Sequence, residues 1–469
     1  MLPILPLIIL IPFAAVAAEL IIDKSHSYRI SFVASLVSFL LVAFAVYYAY
    51  TYGSASLSFS SIYVPSLNLH FSLQVTEPSL MLLLMTSIVF LAASAVGRYF
   101  IGGKGRIYNI IFLISEGASL GVFASANLFL FYVFWEIAEI MFFFIIFLYG
   151  GYNRRYASIK FIIYSLFSSL LLLIGIMLLY SSITPHTFNI TEIIAAGGSI
   201  NTHTQTVILV LLLISFLIKM PVFPFHSWLP DAHTEAPTTG SMILAGVLLK
   251  FGGYGLFLML LILPIASHYA PYLFVIFLLS TVYSAFVCMT QSNIKRLIAY
   301  TSITDMGIVG AGLSAMNLLG YNGGLYAMFN HGIAIALLFL IAGTLDHLYG
   351  TLEIDRIKGV IKNFPGISYL FIIGTFTAVG IPLTSGFVAD LLLFIGSVKS
   401  FGIFGILPLA GILIIGAVLF WVIERTFMSS SKAVEPYNPL DRSIVASGVF
   451  LISAAILFGI LPSILLGIT

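Results

Sequence analysis

Charge is scarce in this chain. Of its 469 residues only 8% are Asp, Glu, Lys or Arg, against roughly 25% in a soluble domain. A soluble fold of this length needs far more charge to cover its surface. Nineteen Lys and Arg stand against seventeen Asp and Glu, which leaves no basic stripe for a nucleic acid. The single cysteine, Cys288, excludes a disulfide framework, a thiolate zinc site and an iron–sulfur cluster. No nucleotide-binding motif is present. What the chain has instead is apolar bulk: 61% of it is hydrophobic. This is the composition of an all-α polytopic membrane protein.

A membrane helix needs ~20 mostly apolar residues. Fourteen such runs, broken by Gly, Pro or charge, lie near 2–19, 28–50, 79–98, 108–128, 129–149, 157–182, 206–229, 236–264, 270–290, 296–316, 321–347, 366–397, 402–427 and 443–466. The first lacks a positive n-region and reads as an uncleaved helix. The cations check the count, since Lys and Arg gather in loops on one side. Loop 1–2 has Lys24 and Arg29; loop 3–4 has Arg98, Lys104 and Arg106; loop 5–6 has Arg154 and Arg155, with Lys160 just inside the next helix. Loop 9–10 has Lys295 and Arg296; loop 11–12 has Arg356, Lys358 and Lys362; loop 13–14 has Arg425, Lys432 and Arg442. All are odd-numbered loops, and together they hold sixteen of the nineteen cations. The pattern predicts fourteen helices with both termini on the non-cytoplasmic side, and a prokaryotic plasma membrane is the expected location. The long even loops at 51–78 and 183–205 are polar and nearly uncharged, with helix expected around Ile190 to Ala196. His186 and His203 read as surface residues.

An ionisable group in hydrocarbon is costly unless paired or facing water, so those inside the spans are functional candidates. They are Glu116, Glu136, Glu139, Lys219, Lys250, Asp305, His331 and Asp390. Lys160 sits at a helix start, where its head can snorkel to the interface. Glu136 and Glu139 share one helix face, and two such close carboxylates do not both ionise without a cation nearby. The bland reading is a neutral carboxyl hydrogen-bonded between helices. Lys219 ends an apolar run and is followed by Pro221, Pro224 and Pro230, which cannot share a straight helix. The seventh helix is therefore expected to break at Lys219, and broken helices mark ion sites where they line a cavity. Asp390 follows a second expected break at Pro382 and Gly386. Lys250 sits among glycines that leave room for close packing and water. His331 reads either as an interhelical hydrogen bond or as a proton carrier. His226, Asp231, His233 and Glu235 carry metal-ligand chemistry, but the prolines scatter them and no two histidines stand at i, i+4. No metal site is expected; Asp231 and Glu235 are expected to cap the eighth helix through Thr234 and Thr238.

Charges recur at an offset of about 170 residues: Lys160 with His331, Lys219 with Asp390, Glu136 with Asp305. Five helices separate the partners, so helices 4–8 and 9–13 read as inverted halves, each with a broken third helix. The expected units are 1–106 (helices 1–3), 107–265 (helices 4–8), 266–428 (helices 9–13) and 429–469 (helix 14).

The segment LIKMPVFPFHSWLPDAHTEAPTTGSMILAGVLLKFGGYGL, with FYVFWE before it and IKRLIAYTSITDMG, FNHGIAIALLFLIAG and GIPLTSGFVADLLLF after it, resembles the antiporter-like subunits of respiratory complex I. The resemblance covers roughly residues 80–430. Its HTEAPTTGSMILAGVLLK stretch is most similar to the M-type subunit, the counterpart of mitochondrial chain 4. The resemblance implies a proton-translocating subunit of an NADH- or other donor:quinone oxidoreductase without a redox centre of its own. Quinone, FMN and iron–sulfur clusters would belong to partner subunits, which would include homologous antiporter-like subunits in the bilayer. It also implies that Glu136 pairs with Lys219, and that Lys250, His331 and Asp390 continue a proton-transfer axis; the other membrane charges, Glu116, Glu139, Lys160 and Asp305, are secondary candidates. Two positions depart from the M-type pattern. Asp390 stands where glutamate is usual, and Asp305 where histidine is usual. The alternatives from related or other classes are an Mrp-type cation/proton antiporter, a membrane-bound hydrogenase subunit and a non-pumping structural subunit.

Overall fold

A computed structural model describes residues 4–54, 57–64, 69–102, 105–429 and 439–466; Lys104 and Lys432 fall outside them. Among the described residues fourteen helices are long and apolar enough to cross a membrane. These are α1 (Ile4–Ile21), α2 (Ser27–Tyr52), α3 (Glu77–Ile101), α4 (Gly105–Ala124), α5 (Leu128–Tyr149), α6 (Arg154–Ser182), α7a (Thr202–Lys219), α8 (Thr238–Ile262), α9 (Ala266–Cys288), α10 (Ile294–Ser314), α11 (Leu318–Tyr349), α12b (Ser385–Phe401), α13 (Leu409–Phe427) and α14 (Arg442–Ile460). Two shorter pieces, α7b (Trp228–Glu235) and α12a (Pro365–Ala378), are the other halves of the two broken helices. The breaks fall where the prolines put them, at Met220–Ser227 and Val379–Thr384. They stand closer together in sequence than the charges do: Lys219 ends the first half of its helix, whereas Asp390 lies in the second half of its own.

Burial divides the helices into two sets. α3, α8, α10 and α11 are enclosed on nearly all sides, while α1, α6 and α12b present wide apolar faces outward. A helix apolar all round belongs at the centre of a bundle. Three of the four central helices carry Lys250, Asp305 and His331. The close approach of α8 to α11 needs small residues: a Cβ on Gly246 would meet the Gly332 carbonyl at 3.2 Å, and one on Gly332 would meet the Gly246 carbonyl at 2.9 Å.

The long even loops hold more order than their composition suggested. The expected helix is present at Ile190–Ala196, and His186 and His203 are exposed. The 51–78 loop forms a β-hairpin that was not expected, with strands Ser58–Val64 and Leu69–Gln74 paired antiparallel, Ser60 opposite Ser72. Asn127 caps α5 by accepting from Leu130 N at 2.7 Å, and its amide donates to His70 O (2.8 Å) and Ser72 Oγ (3.0 Å). One side chain thus starts a spanning helix and holds the hairpin over it.

Candidate functional site

Lys219 is the last residue of α7a, where the unpaired carbonyls of a helix end favour a cation. Its ammonium forms an ion pair with Glu139 of α5 and donates to Ser165 Oγ of α6 at 3.4 Å. Both charged groups are buried. Trp135 Nε1, one turn before Glu139, donates to Glu139 Oε1 at 2.5 Å. Three aromatic faces surround the ammonium: Phe161 at 5.2 Å, Trp135 at 5.8 Å and Trp228 at 5.8 Å, a geometry that stabilises a desolvated cation. The freed backbone of the break is also satisfied, since Phe223 N donates to Ser280 Oγ of α9 (3.0 Å) and Trp228 Nε1 to Ile218 O (3.0 Å).

The partner of Lys219 is therefore Glu139 and not Glu136. Glu136 is only half-buried, lies beside Ser169 of α6, and keeps one carboxylate oxygen without a hydrogen bond. Residues three apart on a helix differ by ~60° in direction, and the rotation of α5 turns the later carboxylate toward α7a.

Lys250 lies directly after a π-helical turn, Leu244–Leu248. Such a turn disturbs the i→i−4 ladder and is frequent at functional sites. The Lys250 ammonium donates to Ala245 O at 2.6 Å, and its nitrogen is 2.5 Å from His331 Nδ1 of α11. His331 Nε2 is 3.7 Å from Asp305 Oδ2 of α10. Asp305, Asn330, His331 and Asp390 line one cavity of about 20 Å³, room for about one water molecule. The tenth-helix aspartate is thus the neighbour of His331, and the cavity carries the line on to Asp390. No hydrogen bond joins Lys219 to Lys250 among the described residues, although Gly252 of α8 lies against the Lys219 side chain.

One residue of this region was not singled out from sequence. Asn330 bridges the second break: its amide donates to Thr377 O of α12a (3.2 Å) and accepts from Ser385 Oγ of α12b (2.8 Å). Its position beside His331 was the only available signal. Asn330→Leu is expected to destabilise the fold by about 1–3 kcal/mol, the cost of leaving a buried polar group unpaired. Thermal unfolding in detergent measures it. His233 of α7b is fully buried with neither ring nitrogen bonded, stacked on Phe339 at 4.6 Å.

The remaining candidates resolve as follows. Lys160 does not simply snorkel: it pairs with Asp231 at 2.7 Å, and Arg296 approaches the same carboxylate at 3.5 Å. Glu235 accepts from Asn153 N at 2.8 Å. Neither acid caps α8, whose N-cap is Pro237 with no side-chain bond. Thr234 donates to Pro230 O within α7b. Asp231 instead binds cations near the starts of α6 and α10, and Glu235 binds the loop before α6. Glu116 is buried in α4 and bonded to α2, away from the line above.

Residues 125–415 match the family described as NADH:quinone oxidoreductase/Mrp antiporter, transmembrane. The chain is 33% identical to NADH-quinone oxidoreductase subunit M of Rickettsia felis, across all of this chain and 97% of that one. It is 32% identical to the F(420)H(2) dehydrogenase subunit M of Methanosarcina mazei, across 99% and 96%. Among solved structures, a chain of respiratory complex I from Thermus thermophilus superposes with a TM-score of 0.90 at 26% identity, covering 98% of this chain and 96% of that one. The M-type resemblance and the all-α architecture read from the sequence agree with these matches. The chain belongs to the NADH:quinone oxidoreductase/Mrp antiporter family of membrane proteins.

Proposed function

We propose that the chain is a proton-translocating subunit of a membrane oxidoreductase that passes electrons to quinone. The observation that carries this reading is a line of buried ionisable groups across the middle of the bundle: Glu139 with Lys219, then Lys250 with His331, then Asp305 and, across a small cavity, Asp390. A scaffold has no use for charges that cost several kcal/mol each to bury.

In this reading Glu139 holds a proton on Lys219 by charge attraction. Withdrawing that carboxylate, or protonating it, frees the proton to cross water to Lys250. The 2.5 Å contact from Lys250 to His331 is a hydrogen bond along which it passes on. Asp305 then accepts or stabilises the charge, and Asp390 releases it. Moving one charge against ~100 mV requires about 2.3 kcal/mol, which one ion pair opening in a low-dielectric site can supply. Glu136, half-buried beside Ser169 of α6 and close to the pair, would modulate the charge on Lys219 when it gains or loses a proton. The driving reaction belongs to partner subunits holding FMN, iron–sulfur clusters and the quinone site, since one cysteine cannot hold a cluster. The donor is NADH or another reduced carrier. By the distribution of Lys and Arg the odd loops face the cytoplasm of a prokaryotic cell.

Lys219→Ala in the assembled complex is expected to abolish proton translocation by this subunit while electron transfer continues at a reduced rate. Protons moved per electron, measured in sealed vesicles, test this. An unchanged ratio refutes the reading. Sodium-dependent exchange by the isolated assembly without electron input favours the Mrp-type antiporter.

A further inference from the structure

A second set of buried polar groups runs through α1, α2 and α4, apart from the line just described. Ser27, Ser31, Ser35 and Ser38 recur at spacings of four, four and three on one face of α2, and each is at most 2% exposed. Serines alone would mean only close helix packing. Here two carboxyls face them. Ser27 Oγ donates to Glu19 Oε2 of α1 at 2.7 Å, and Ser35 Oγ donates to Glu116 Oε2 of α4 at 2.7 Å. Asn109 Nδ2 of α4 donates to Ser27 Oγ at 2.8 Å, and the Arg106 guanidinium donates to the Glu19 main-chain carbonyl at the odd-loop end. α2 and α4 keep a near-constant register, with Ser27 and Asn109 82 residues apart and Ser35 and Glu116 81 apart. The same offset brings Ser38 level with Ser119.

Five oxygens along this file are buried without a hydrogen bond from the protein: Glu19 Oε1, Ser31 Oγ, Glu116 Oε1, Ser38 Oγ and Ser119 Oγ. They succeed one another from the odd-loop end inward, and the eleven steps from Ser27 to Ser38 rise about 16 Å. Buried polar atoms are nearly always bonded to protein or water, and a file of them with two carboxyls fits a chain of waters. Glu116 lies ten residues before Ala126, at the centre of the α4–α5 turn, and Glu136 lies ten residues after it. Glu116 therefore sits at the depth of the α5 carboxylates.

We propose that α1, α2 and α4 enclose a hydrated proton-access path leading from the odd-loop face, past Glu19, to Glu116. A hydronium ion at the inner end transfers its proton to the Glu116 carboxylate, leaving water and a neutral carboxylic acid, and the reverse step empties the site. Ser31 and Ser35 orient the waters between the two carboxyls, and Ser38 and Ser119 those beyond Glu116. The purpose of the path rests on the proton-translocation reading; its hydration does not.

The test uses membranes carrying the full assembly, in a Cys288→Ser background. Ser31→Cys and Ser35→Cys are treated from the odd-loop side with 2-aminoethyl methanethiosulfonate, and the mass of the chain reports modification. Both are expected to react about a hundredfold faster than Val33→Cys, which lies on the outward apolar face of α2, because the charged reagent must leave water to reach that position within a membrane span. Rates no faster than at Val33→Cys overturn the proposal. In parallel, Glu116→Gln keeps an acceptor for Ser35 but carries no proton. It is expected to lose proton uptake from the odd-loop side with electron transfer retained, and Glu116→Asp is expected to restore uptake. Unchanged uptake in Glu116→Gln also overturns the proposal. The labelling rates do not depend on Lys219, so failure of the path and failure of the translocation reading are separable.

Discussion

Glu139→Ala is expected to lower the stability of the folded chain by about 3–5 kcal/mol, because it leaves the Lys219 ammonium buried without its counter-charge. The aromatic faces around Lys219 recover only part of this, roughly 2 kcal/mol for a desolvated cation. Glu136→Ala is expected to cost far less, since Glu136 is half-buried and holds no ion pair in the structure. Thermal unfolding of the two variants in the same detergent compares them. Equal losses would show that the two carboxylates share Lys219 and that Glu139 is not its dedicated partner.

The second large effect separates stability from function. Removing both charges at once, in Glu139→Leu with Lys219→Met, leaves nothing uncompensated. Buried ion pairs replaced by apolar residues of similar volume are often neutral or stabilising by about 1–4 kcal/mol. The double variant is therefore expected to melt no lower than the parent while proton translocation is lost. A merely structural pair predicts the opposite, an unaltered proton-to-electron ratio. Trp135 loses its acceptor in this variant, which subtracts about 1 kcal/mol from any gain. Unfolding temperature and proton-to-electron ratio, measured on one preparation, give both answers.

The fourteen spans and both breaks were legible in the sequence because each rests on a local cause. Twenty apolar residues satisfy their own backbone as a helix, and Pro221, Pro224 and Pro382 cannot continue one. The charged groups were legible because they are costly. Their pairing was not. Glu136 and Glu139 occupy one face of α5, and which of them meets Lys219 depends on a rotation set by packing against α6 and α7a. Glu19, the last residue of the first apolar run, was not among the candidates; its burial arises from Ser27, eight residues on, and from Asn109 and Arg106, both distant in sequence. Asp231 and Glu235 have the chemistry of helix caps, yet Lys160, Arg296 and the backbone at Asn153 claim them. The hairpin was missed for another reason. Its strands, SFSSIYV and LHFSLQ, are short, and Asn127 and the top of the bundle hold them in place.

The setting of Lys219 has an optical consequence. The chain contains three tryptophans, and two of them, Trp135 and Trp228, lie 5.8 Å from the Lys219 ammonium. The third, Trp421, is partly exposed beside Arg425. With Trp421 replaced by phenylalanine, the chain's indole emission would come only from the two rings around Lys219. A lysine has no chromophore of its own. Here the field of its charge falls on two fluorophores, so any change in its protonation would shift their emission.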